Sequence, residues 1–463
     1  MPYLVDPLDE RLAAVVPPGS LYAVGGRVRD EVRAELGQCD AAFKDLDYVV
    51  TGVPLHDLRE RLETLGSVDV VGASFSVLKV TVDGRTADVA LPRRERSTGA
   101  HHRAFEVHSG PDVTLDDDLA RRDFRMNMLA RALPSGTLVD PYHGAADIAA
   151  RRIDVLTESV FEEDPLRMLR AAQFAARFGY VLSARAREAM TAVAKSIGNV
   201  SAERISDELT KLLARAPRPS IGLEILRETG VLGELWPELL EGYGVEQNAF
   251  HAYDVYRHSL ETLDATPPGD LILRLAALLH DVGKPRTKEG PHFYRHEHVG
   301  EELARAMLVR FRFPNEVVDA TAHLVRGHMY RADSELTDAA LRRFVRRVGA
   351  GELNRQFALR AADIVGSGKP KWDDSNERFE ARVWAEVARK PPFSIKDLAI
   401  DGDTVVDAMV QKGIVTPGFR GDARVGAALQ WLFEQVTDEP KRNERNSLLT
   451  LLSDYLDCVS GQS

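Results

Sequence analysis

The spacing of apolar residues changes along this chain, and the change predicts two kinds of architecture. Up to about residue 155, short apolar runs such as LYAV (21–24) predict strands, and they alternate with helical segments such as RVRDEVRAEL (27–36). The stretch LHDLRERLETLG (55–66) predicts a helix that stops at its glycine. VLKVTVDGRTADVAL (77–91) predicts a β-hairpin that turns at Asp-Gly. The first third is therefore typical of an α/β sheet with helices.

From about Glu162 onward the apolar residues recur three and four apart, which predicts an almost wholly helical remainder. TPPGD (266–270) predicts a loop, and RKPPFS (389–394) predicts a linker to a last short domain. The expected fold class is α+β and multidomain. Its expected parts are a mixed-sheet head at 1–155, an all-α neck at 156–235, a helical domain at 236–390 and a small helical tail at 391–463.

Composition narrows the class of protein. The chain has 463 residues, a formal net charge of −11 and two cysteines, Cys39 and Cys458. So few cysteines exclude a disulfide framework and suit a reducing cytosol. The acidic start MPYLVDPLDE is unlike a signal peptide, and no segment is apolar for long enough to cross a membrane, so a cytoplasmic protein is expected. The negative charge does not exclude RNA, because binding depends on local patches.

Candidate chemistry begins with YAVGGRVRDEV (22–32) and KDLDYVV (44–50). On a strand, Asp45 and Asp47 point to the same face, and two carboxylates so close favour a bound Mg²⁺. Gly25 and Gly26 let a helix start close to a ligand, where its first amides suit triphosphate oxygens. Asp88 is the best candidate for a third carboxylate. The competing interpretation is an edge strand with solvated aspartates beside a routine turn, which suffices for Asp-x-Asp alone.

Further blocks follow in a fixed order, and together they resemble the class II tRNA nucleotidyltransferase and bacterial poly(A) polymerase superfamily. They are DVALPRRE (88–95), DDLARRDFRMN (117–127), DPYHGAADI (140–148), EEDPLRMLR (162–170) and AERISDEL (202–209). The resemblance implies catalytic Asp45, Asp47 and Asp88, with Asp45 and Asp47 holding Mg²⁺. It also implies the following nucleotide-binding residues: Gly25, Gly26, Arg27, Arg29, Arg121, Arg122, Asp123, Asn127, Asp164, Arg167 and Arg204.

In the family, the pair Asp164 and Arg167 reads the nucleotide base. The two residues lie three apart at a helix start and can reach one ligand. A carboxylate that accepts from an amine and a guanidinium that donates to a ring nitrogen fit cytosine and adenine alike, whereas uracil and guanine reverse the pattern. The alternative is structural, because Asp164 before Pro165 is also a good helix cap.

One block departs from the family. After RRDF the family usually has Thr-x-Asn-Ala, whereas this chain has Arg125, Met126, Asn127 and Met128. Two long side chains in place of two small ones are expected to crowd the ribose pocket.

The second half carries histidines and aspartates in an order that resembles the HD phosphohydrolase superfamily, and HD domains also occur fused behind nucleotidyltransferase heads. The quoted stretches are FHAYDVYRHSL (250–260), ALLHDVGK (277–284), YRHEHVG (294–300), LVRGHM (324–329) and RAADIVG (360–366). The resemblance implies these metal ligands: His258, His280, Asp281, His296, His328 and Asp363. His251 and His298 are possible extras with a mostly structural interpretation. Imidazole-rich ligation suits Ni²⁺, Mn²⁺ or Co²⁺.

RNA contact has several candidates. Basic clusters occur at RRFVRR (342–347), KPKW (369–372) and KRNER (441–445), and each is more often a solvated helix face. The stretch RRERSTGAHHRAFEVHSGP (93–111) looks like the mobile loop that helps CCA-adding enzymes switch from C to A.

The expected function is template-independent addition of CCA, or part of it, to the acceptor end of tRNA from CTP and ATP. A metal-dependent phosphohydrolase activity is expected in the HD domain. Within the family, the alternatives are a CC-adding enzyme, an A-adding enzyme and a poly(A) polymerase. Outside it, the alternatives are an HD phosphohydrolase with a head that only binds nucleotide, and a non-catalytic RNA-binding module. The oligomeric state is left open.

Overall fold

The computed structural model describes residues 5–40, 45–71, 77–97, 105–333, 335–371 and 373–460. The chain forms two compact units. One comprises residues 1–240 with 267–271 and 307–313, and the other comprises 241–266, 272–306 and 314–463. Within the described ranges, no helix combines the length and the apolar character that a membrane span requires.

The first unit is a mixed sheet with helices. In chain order its strands are β1 (Leu21–Val24), β2 (Asp47–Val50), β3 (Ser67–Val71), β4 (Val77–Val82), β5 (Arg85–Ala90), β6 (Arg93–Ser97), β7 (Phe105–Ser109), β8 (Ala130–Ala132), β9 (Thr137–Val139), β10 (Arg152–Ile153) and β11 (Val181–Leu182). Seven of them form one sheet in the order β3-β4-β5-β2-β1-β8-β9. The β2–β5 pair is parallel, and the other pairs of this sheet are antiparallel.

Two predicted turns have the expected backbone. Asp83 and Gly84 join β4 to β5 with φ of 50° and 77°, which is the conformation that an Asp-Gly hairpin turn adopts. Strands β6 and β7 pair from Arg93↔Ser109 to Ser97↔Phe105. The loop predicted between them includes residues 98–104, which lie outside the described residues.

Helices flank the sheet and then continue as the neck. They are α1 (Pro7–Val15), α2 (Gly26–Glu35), α3 (Leu55–Glu63), α4 (Leu115–Ala120), α5 (Gly144–Ala149), α6 (Val160–Glu163), α7 (Leu166–Phe178), α8 (Ala184–Val193), α9 (Ala202–Arg215), α10 (Pro219–Glu228), α11 (Val231–Leu235) and α12 (Pro237–Leu240). α7 packs against α9 and α10. Its apolar positions Met168, Leu169 and Ala172 are fully or almost fully buried, which fixes α7 by its apolar face.

In its described residues the second half is helical, with one short hairpin of β12 (Lys288–Glu289) and β13 (His292–Phe293). Its helices are α13 (Val255–Asp264), α14 (Leu271–Leu279), α15 (His296–Arg310), α16 (Asn315–Gly327), α17 (Asp338–Val348), α18 (Leu353–Gly366), α19 (Ser375–Ala388), α20 (Gly402–Gln411), α21 (Ala423–Asp438) and α22 (Arg445–Ser460). α20, α21 and α22 share a core that includes Val405, Leu432 and Leu452. The α+β multidomain expectation is confirmed.

The basic cluster RRFVRR lies on α17 and faces α21. Arg342 is buried and bonds to the Glu386 carboxylate and to the Thr437 carbonyl oxygen. Arg343 pairs with Asp438 at 2.6 Å, and Arg346 pairs with Glu434 at 2.7 Å. Three of the four arginines therefore join helices to one another, so their charge is already paired within the protein.

Candidate active site and metal centre

Three carboxylates meet at the neighbouring strands β2 and β5. Asp47 begins β2 and is paired in parallel register with Asp88 of β5, while Asp45 lies two residues before the strand and is exposed. Burial, and then the negative charges of Asp88 and Asp45, raise the pKa of Asp47. A bound cation relieves this repulsion, and a set made only of carboxylate oxygens suits Mg²⁺. The residues therefore fit the ion that the sequence predicts.

Gly25 brings the β1–α2 turn against these carboxylates. Its φ is 76°, and a Cβ added there would lie 3.1 Å from Asp47 Oδ2 and 3.7 Å from Arg122 Nη1. α2 begins at the next residue, Gly26. A side chain at position 25 would be strained and would press on Asp47, so glycine is required for both reasons.

An arginine-rich cavity of about 430 Å³ adjoins this turn. It is lined by residues from the head and from the neck helices α7 and α9. They are Gly25, Gly26, Arg29, Arg93, Arg121, Arg122, Asp123, Asn127, Asp164, Leu166, Arg167, Arg170, Phe174 and Arg204. Such a concentration of guanidinium groups suits a polyanion such as a nucleoside triphosphate.

Asp118 holds two of these arginines in place. The carboxylate is fully buried, and it accepts from Arg121 Nη2 at 2.6 Å and from Arg122 Nη2 at 3.1 Å. Burial alone would raise its pKa, but the two guanidinium groups outweigh burial and lower it. Asp118 therefore stays ionised and orients both arginines toward the cavity.

A hydrogen-bonded chain of four side chains connects α2 to α7. Arg29 Nη1 donates to Asn127 Oδ1 at 3.0 Å, and Asn127 Nδ2 donates to Asp123 Oδ1 at 2.8 Å. Asp123 Oδ2 accepts from Arg170 Nε and Nη2 at 2.8 and 2.7 Å. Burial opposes ionisation of Asp123, but Arg170 and the hydrogen bonds lower its pKa. The chain fixes the glycine turn relative to the start of α7.

Asp164 divides its oxygens between the two roles that the sequence allows. Oδ1 accepts from the Leu166 amide at 3.2 Å, as a helix cap does, and Oδ2 accepts from Arg204 Nη2 at 2.8 Å. Arg167 donates to the carbonyl oxygen of Arg121 at 3.0 Å and to Glu163 Oε2 at 3.1 Å. The structure thus places Asp164, Arg167 and Arg204 together at one side of the cavity.

Two sequence expectations are wrong in their geometry. Arg27 does not line the cavity, because its guanidinium is wholly buried on Asp9, Glu31 and Tyr48. Arg125 and Met128 do not crowd a ribose pocket. Arg125 turns to Asp154 and to the Tyr142 carbonyl oxygen, and Met128 is fully buried in the core of the head. Arg27 and Met128 thus stabilise the head rather than face a ligand.

The sequence analysis does not assign four of the lining residues, Arg93, Leu166, Arg170 and Phe174. The sequence contains a spacing that could have identified two of them. Arg170 and Phe174 follow Arg167 at intervals of three and four, and residues so spaced share one face of a helix. Arg170 also lies over the Phe174 ring, with its guanidinium carbon 5.4 Å from the ring centroid.

The second site brings together all six histidines and aspartates predicted as HD ligands. Ligand atoms of His258, His280 and Asp363 lie within 4.8 Å of one another, and so do those of Asp281, His296 and His328. The ligands come from α13, α15, α18, the end of α16 and the segment after α14. Their side chains are buried, apart from Asp363 at 18% exposure.

The arrangement of nitrogen atoms in this site fits a metal ion. Nδ1 of His280, His296 and His328 lies 2.9, 2.8 and 2.7 Å from the carbonyl oxygen three residues earlier, so each Nδ1–H donates there. Each Nε2 lone pair then faces inward. The two Nε2 atoms of His296 and His328 lie only 3.1 Å apart, and a proton or a metal ion shared between them would relieve the repulsion of their lone pairs.

Asp281 connects the two groups of ligands. Its Oδ2 lies 3.3 Å from His258 Nε2 and 3.2 Å from His280 Nε2, whereas Oδ1 lies 3.3 Å from His296 Nε2. Lys284 Nζ lies 2.6 Å from Oδ2. Burial opposes a charged imidazole, but Asp281 and Asp363 outweigh it and raise the pKa of His280 to about 10. So strong an anionic field favours a cation at this point.

The two possible extra histidines differ. His251 lies beside the centre, with its ring 4.8 Å from that of His258, and its Nδ1 lies 3.0 Å from Asn248 Oδ1. Burial, with Lys284 and His258 nearby, lowers the pKa of His251 to about 4. His298 is part-exposed beside Glu297, at 3.5 Å, and belongs to none of the metal-ligand groups found among the described residues.

Comparison with protein families matches three successive segments of the chain. The family of the poly(A) polymerase head domain matches residues 21–154. The probable RNA- and SrmB-binding site of polymerase A matches residues 179–242, and the HD domain matches residues 250–365. These segments follow one another in the order that the sequence blocks predict.

Two curated relatives match over most of their length. The multifunctional CCA protein of Cupriavidus taiwanensis is 36% identical over 400 residues, covering 82% of this chain and 92% of the relative. That of Verminephrobacter eiseniae is 34% identical over 435 residues, covering 90% and 100%. The chain therefore belongs to the family of tRNA nucleotidyltransferases and poly(A) polymerases, among the multifunctional CCA proteins.

Solved structures share the fold across the whole chain. The CCA-adding enzyme of Bacillus stearothermophilus in complex with CTP superimposes with a TM-score of 0.71 at 21% identity, covering 99% of this chain and 100% of that one. The Thermotoga maritima CCA-adding enzyme complexed with tRNA-CCA gives 0.55 at 19% identity, covering 97% and 96%.

Proposed function

We propose that the head of this protein adds cytidine and adenosine to the 3′ end of tRNA from CTP and ATP. The observation that supports this most is the meeting of Asp47 and Asp88 beside Gly25, with an arginine-lined cavity adjoining. Mere binding of a nucleotide would not need paired carboxylates, since arginines alone neutralise phosphates. This disfavours a head that only binds nucleotide or RNA.

In the proposed reaction, the 3′-hydroxyl oxygen of the RNA forms a bond to the α-phosphorus of the nucleotide. The bond from that phosphorus to the oxygen that bridges it to the β-phosphorus breaks, pyrophosphate leaves, and the hydroxyl proton passes to solvent. Asp45, Asp47 and Asp88 would hold Mg²⁺. When bound, this ion would lower the pKa of the RNA 3′-hydroxyl and neutralise charge on the leaving group. Gly25 and the first amides of α2 seat the triphosphate, and Arg121 and Arg122 stabilise its negative charge.

We assign base selection to Asp164 and Arg167, with Arg204 and Glu163 holding them before the nucleotide arrives. A carboxylate that accepts from the base amine and a guanidinium that donates to the ring nitrogen fit cytosine and adenine. One template-free pocket can then serve both nucleotides and reject uracil and guanine.

The experiment that tests this proposal sizes the products made on three tRNAs. They end at the discriminator base, at C, and at C-C, and they receive CTP, ATP or both. Full CCA addition predicts three, two and one added nucleotides with both substrates present. A poly(A) ladder, an enzyme that stops after C-C, or one that acts only on C-C would overturn full CCA addition in favour of another family product.

We further propose that the histidine-rich centre is a metal-dependent phosphohydrolase. A cavity of about 520 Å³ opens onto Asp281, His296, His328 and Asp363. A transition metal such as Ni²⁺, Mn²⁺ or Co²⁺ would be held by the six ligands and would supply a nucleophilic water at neutral pH. Lys284 is placed to attract a phosphate, and the expected substrates are terminal phosphates and 2′,3′-cyclic phosphates of RNA ends.

A further inference from the structure

A second cavity adjoins the cavity of the HD metal centre. It has a volume of about 410 Å³, and its lining includes Tyr330 and Phe357 with residues of α18 and α19. Arg360, Ile364 and Lys369 line both cavities. The second cavity therefore begins where the cavity of the metal centre ends, and we call it the side cavity.

The side cavity has a rigid and partly apolar wall. The Tyr330 ring lies 4.9 Å from the Phe344 ring and 5.7 Å from the Phe379 ring, so neighbouring aromatic residues hold it in place. Phe357 is buried beside them, whereas Val365 lines the side cavity and is 67% exposed. Pockets for small organic molecules are lined mainly by such apolar and aromatic groups, with a few polar groups that fix orientation.

A hydrogen-bond donor and an acceptor accompany this wall. The Tyr330 hydroxyl has no hydrogen-bond partner in the described part of the chain, and burial raises its pKa, so it stays protonated and can donate. The Glu380 carboxylate also lines the side cavity, and its Oε1 accepts from Trp384 Nε1 at 3.3 Å. Its second oxygen can accept from a ligand. The edge of a nucleobase requires both kinds of partner.

Arg360 connects the side cavity to the metal centre. Its Nη1 lies 3.4 Å from Oδ2 of the predicted metal ligand Asp363, and its guanidinium carbon lies 5.6 Å from the centroid of the Tyr330 ring. Its Nε donates to Asn376 Oδ1 at 3.4 Å. These contacts fix the plane of the guanidinium group and keep its positive charge between the two cavities.

The boundary of the two cavities also carries two lysines. Lys371 pairs with Glu377, so its charge is neutralised within the protein. Lys369 is exposed and makes no ion pair with any residue that the structure describes. Arg360 and Lys369 therefore provide positive charge at the point where a ligand would pass from one cavity to the other.

We infer that the side cavity binds the nucleobase of the phosphate ester that is hydrolysed at the HD centre. A nucleotide has the required order, with a phosphate for the metal centre, a ribose beside Arg360 and Lys369, and a flat base for the apolar wall. An ester without a base would leave the side cavity empty. This inference rests on the proposed phosphohydrolase function and deepens it, because it makes the centre selective for nucleotide esters over other phosphate esters.

The test compares two cyclic phosphates that differ only in the base. They are adenosine 2′,3′-cyclic phosphate and methyl ribofuranoside 2,3-cyclic phosphate, in which a methoxy group replaces adenine. Hydrolysis adds water to one phosphorus–oxygen bond of the ring and leaves a phosphate monoester and a free hydroxyl. The full-length protein with Mn²⁺, Co²⁺ or Ni²⁺ should prefer the adenosine ester by about 10-fold or more in kcat/KM, since a stacked base contributes a factor of this size.

Ala361→Trp should abolish most of this preference. Ala361 is exposed on α18 and lines the side cavity but not the cavity of the metal centre, so an indole there occupies the space of the base. The matched control is Asn354→Trp, which adds the same side chain at an exposed position two turns earlier on α18, outside both cavities. It should keep the preference. Equal hydrolysis of both esters by the wild type, or an unchanged preference in Ala361→Trp, overturns the side cavity as a base site.

Equilibrium binding separates this inference from the proposed hydrolase. Calorimetry in the presence of a chelator measures the binding of adenosine 2′,3′-cyclic phosphate to the wild type and to Ala361→Trp. The head is the same in both proteins, so the difference reports on the side cavity. Binding that is about 10-fold weaker in the variant, in a protein that hydrolyses neither ester with any metal, supports the base site and overturns the phosphohydrolase function. Equal binding overturns the base site whichever esters are hydrolysed.

Discussion

The carboxylate site of the head and the histidine site of the HD region both suit a cation, but they differ in the type of ligand and in how the ligands are held. In the head, Asp45 and Asp47 are two residues apart, Asp88 lies on the neighbouring strand, and the residues around them are arginines that await a polyanion. In the HD region, the ligands are spread from His258 to Asp363, and three of the imidazoles are fixed by carbonyl oxygens of the chain itself.

The difference indicates how much each site depends on its substrate. The head brings together like charges that an arriving metal–nucleotide complex must neutralise, so it is completed by what it binds. The HD centre is formed by the protein alone, with inward lone pairs at 3.1 Å and a buried bridging carboxylate. We therefore expect the head to take its metal with the nucleotide, and the HD centre to keep its metal between turnovers.

The largest expected effect separates the two activities completely. Asp47→Ala should lower nucleotide addition by at least about 1,000-fold, because Mg²⁺ loses a carboxylate ligand and no longer neutralises the charge on the reacting phosphates. The same change should leave phosphate-ester hydrolysis unchanged. His280→Ala with Asp281→Ala should do the reverse. Both reactions are assayed on each preparation, with Asp69→Ala on the edge strand β3 as the exposed carboxylate control. Hydrolysis that survives the double change would rule out this centre as its source.

A second prediction concerns metal and stability. Protein stripped with a chelator should gain about 2.7 kcal/mol of unfolding free energy when Ni²⁺, Mn²⁺ or Co²⁺ is present at a hundred times its dissociation constant. His280→Ala should lose this gain, whereas His298→Ala, on the same helix as His296 but outside the centre, should keep it. Thermal unfolding with each metal measures the effect. An equal gain in both variants would place the metal elsewhere.

A third prediction concerns nucleotide choice. Asp164→Ala and Arg167→Ala should each let UTP and GTP compete better by roughly 5- to 150-fold, because a bidentate base contact is worth about 1–3 kcal/mol. Competition assays with mixed nucleotides measure the change. Asp401→Ala is the control, since Asp401 caps α20 and accepts from the Thr404 amide at 2.9 Å. If Asp164→Ala lowers stability like that control and leaves nucleotide choice intact, Asp164 is a cap only.

The smallest prediction concerns the free head site. The pKa of Asp47 is raised in the folded protein, so folding favours the neutral carboxyl. The free energy of unfolding therefore falls as the pH rises from the pKa of the unfolded chain through that of the folded protein. Without metal, Asp47→Asn should therefore be more stable than wild type at pH 7, by about 1 kcal/mol. The difference should shrink on lowering the pH to about 3, below the pKa of about 3.9 of an unperturbed Asp, where the carboxyl is mostly protonated in both states. Urea unfolding in the presence of a chelator at the two pH values measures this difference. Equal stability of the variant and the wild type at both pH values would contradict the repulsion.

Much of this arrangement is readable from the sequence, and the failures have geometric causes. The two-residue spacing of Asp45 and Asp47, the hairpin that carries Asp88 and the order of the HD ligands all rest on local patterns. The resemblance assigns both Arg27 and Arg29 to the nucleotide, yet residues two apart on a helix point about 200° apart, so only one of them faces the cavity. Arg93 and Arg170 are far apart in the chain and line the same cavity only through the tertiary fold.

The chain of hydrogen bonds from Arg29 through Asn127 and Asp123 to Arg170 holds α2 and α7 at a constant distance from each other. It sets the separation between the turn that seats the triphosphate and the helix that carries the base readers. Cytosine has one ring and adenine has two, so a frame of constant width cannot accept both by stretching. We expect the additional ring of adenine to be accommodated outside this frame, at the side where the RNA end enters. Asn127→Ala would interrupt this chain of hydrogen bonds at its middle. We therefore expect it to disturb the switch from adding C to adding A more than the incorporation of either nucleotide alone.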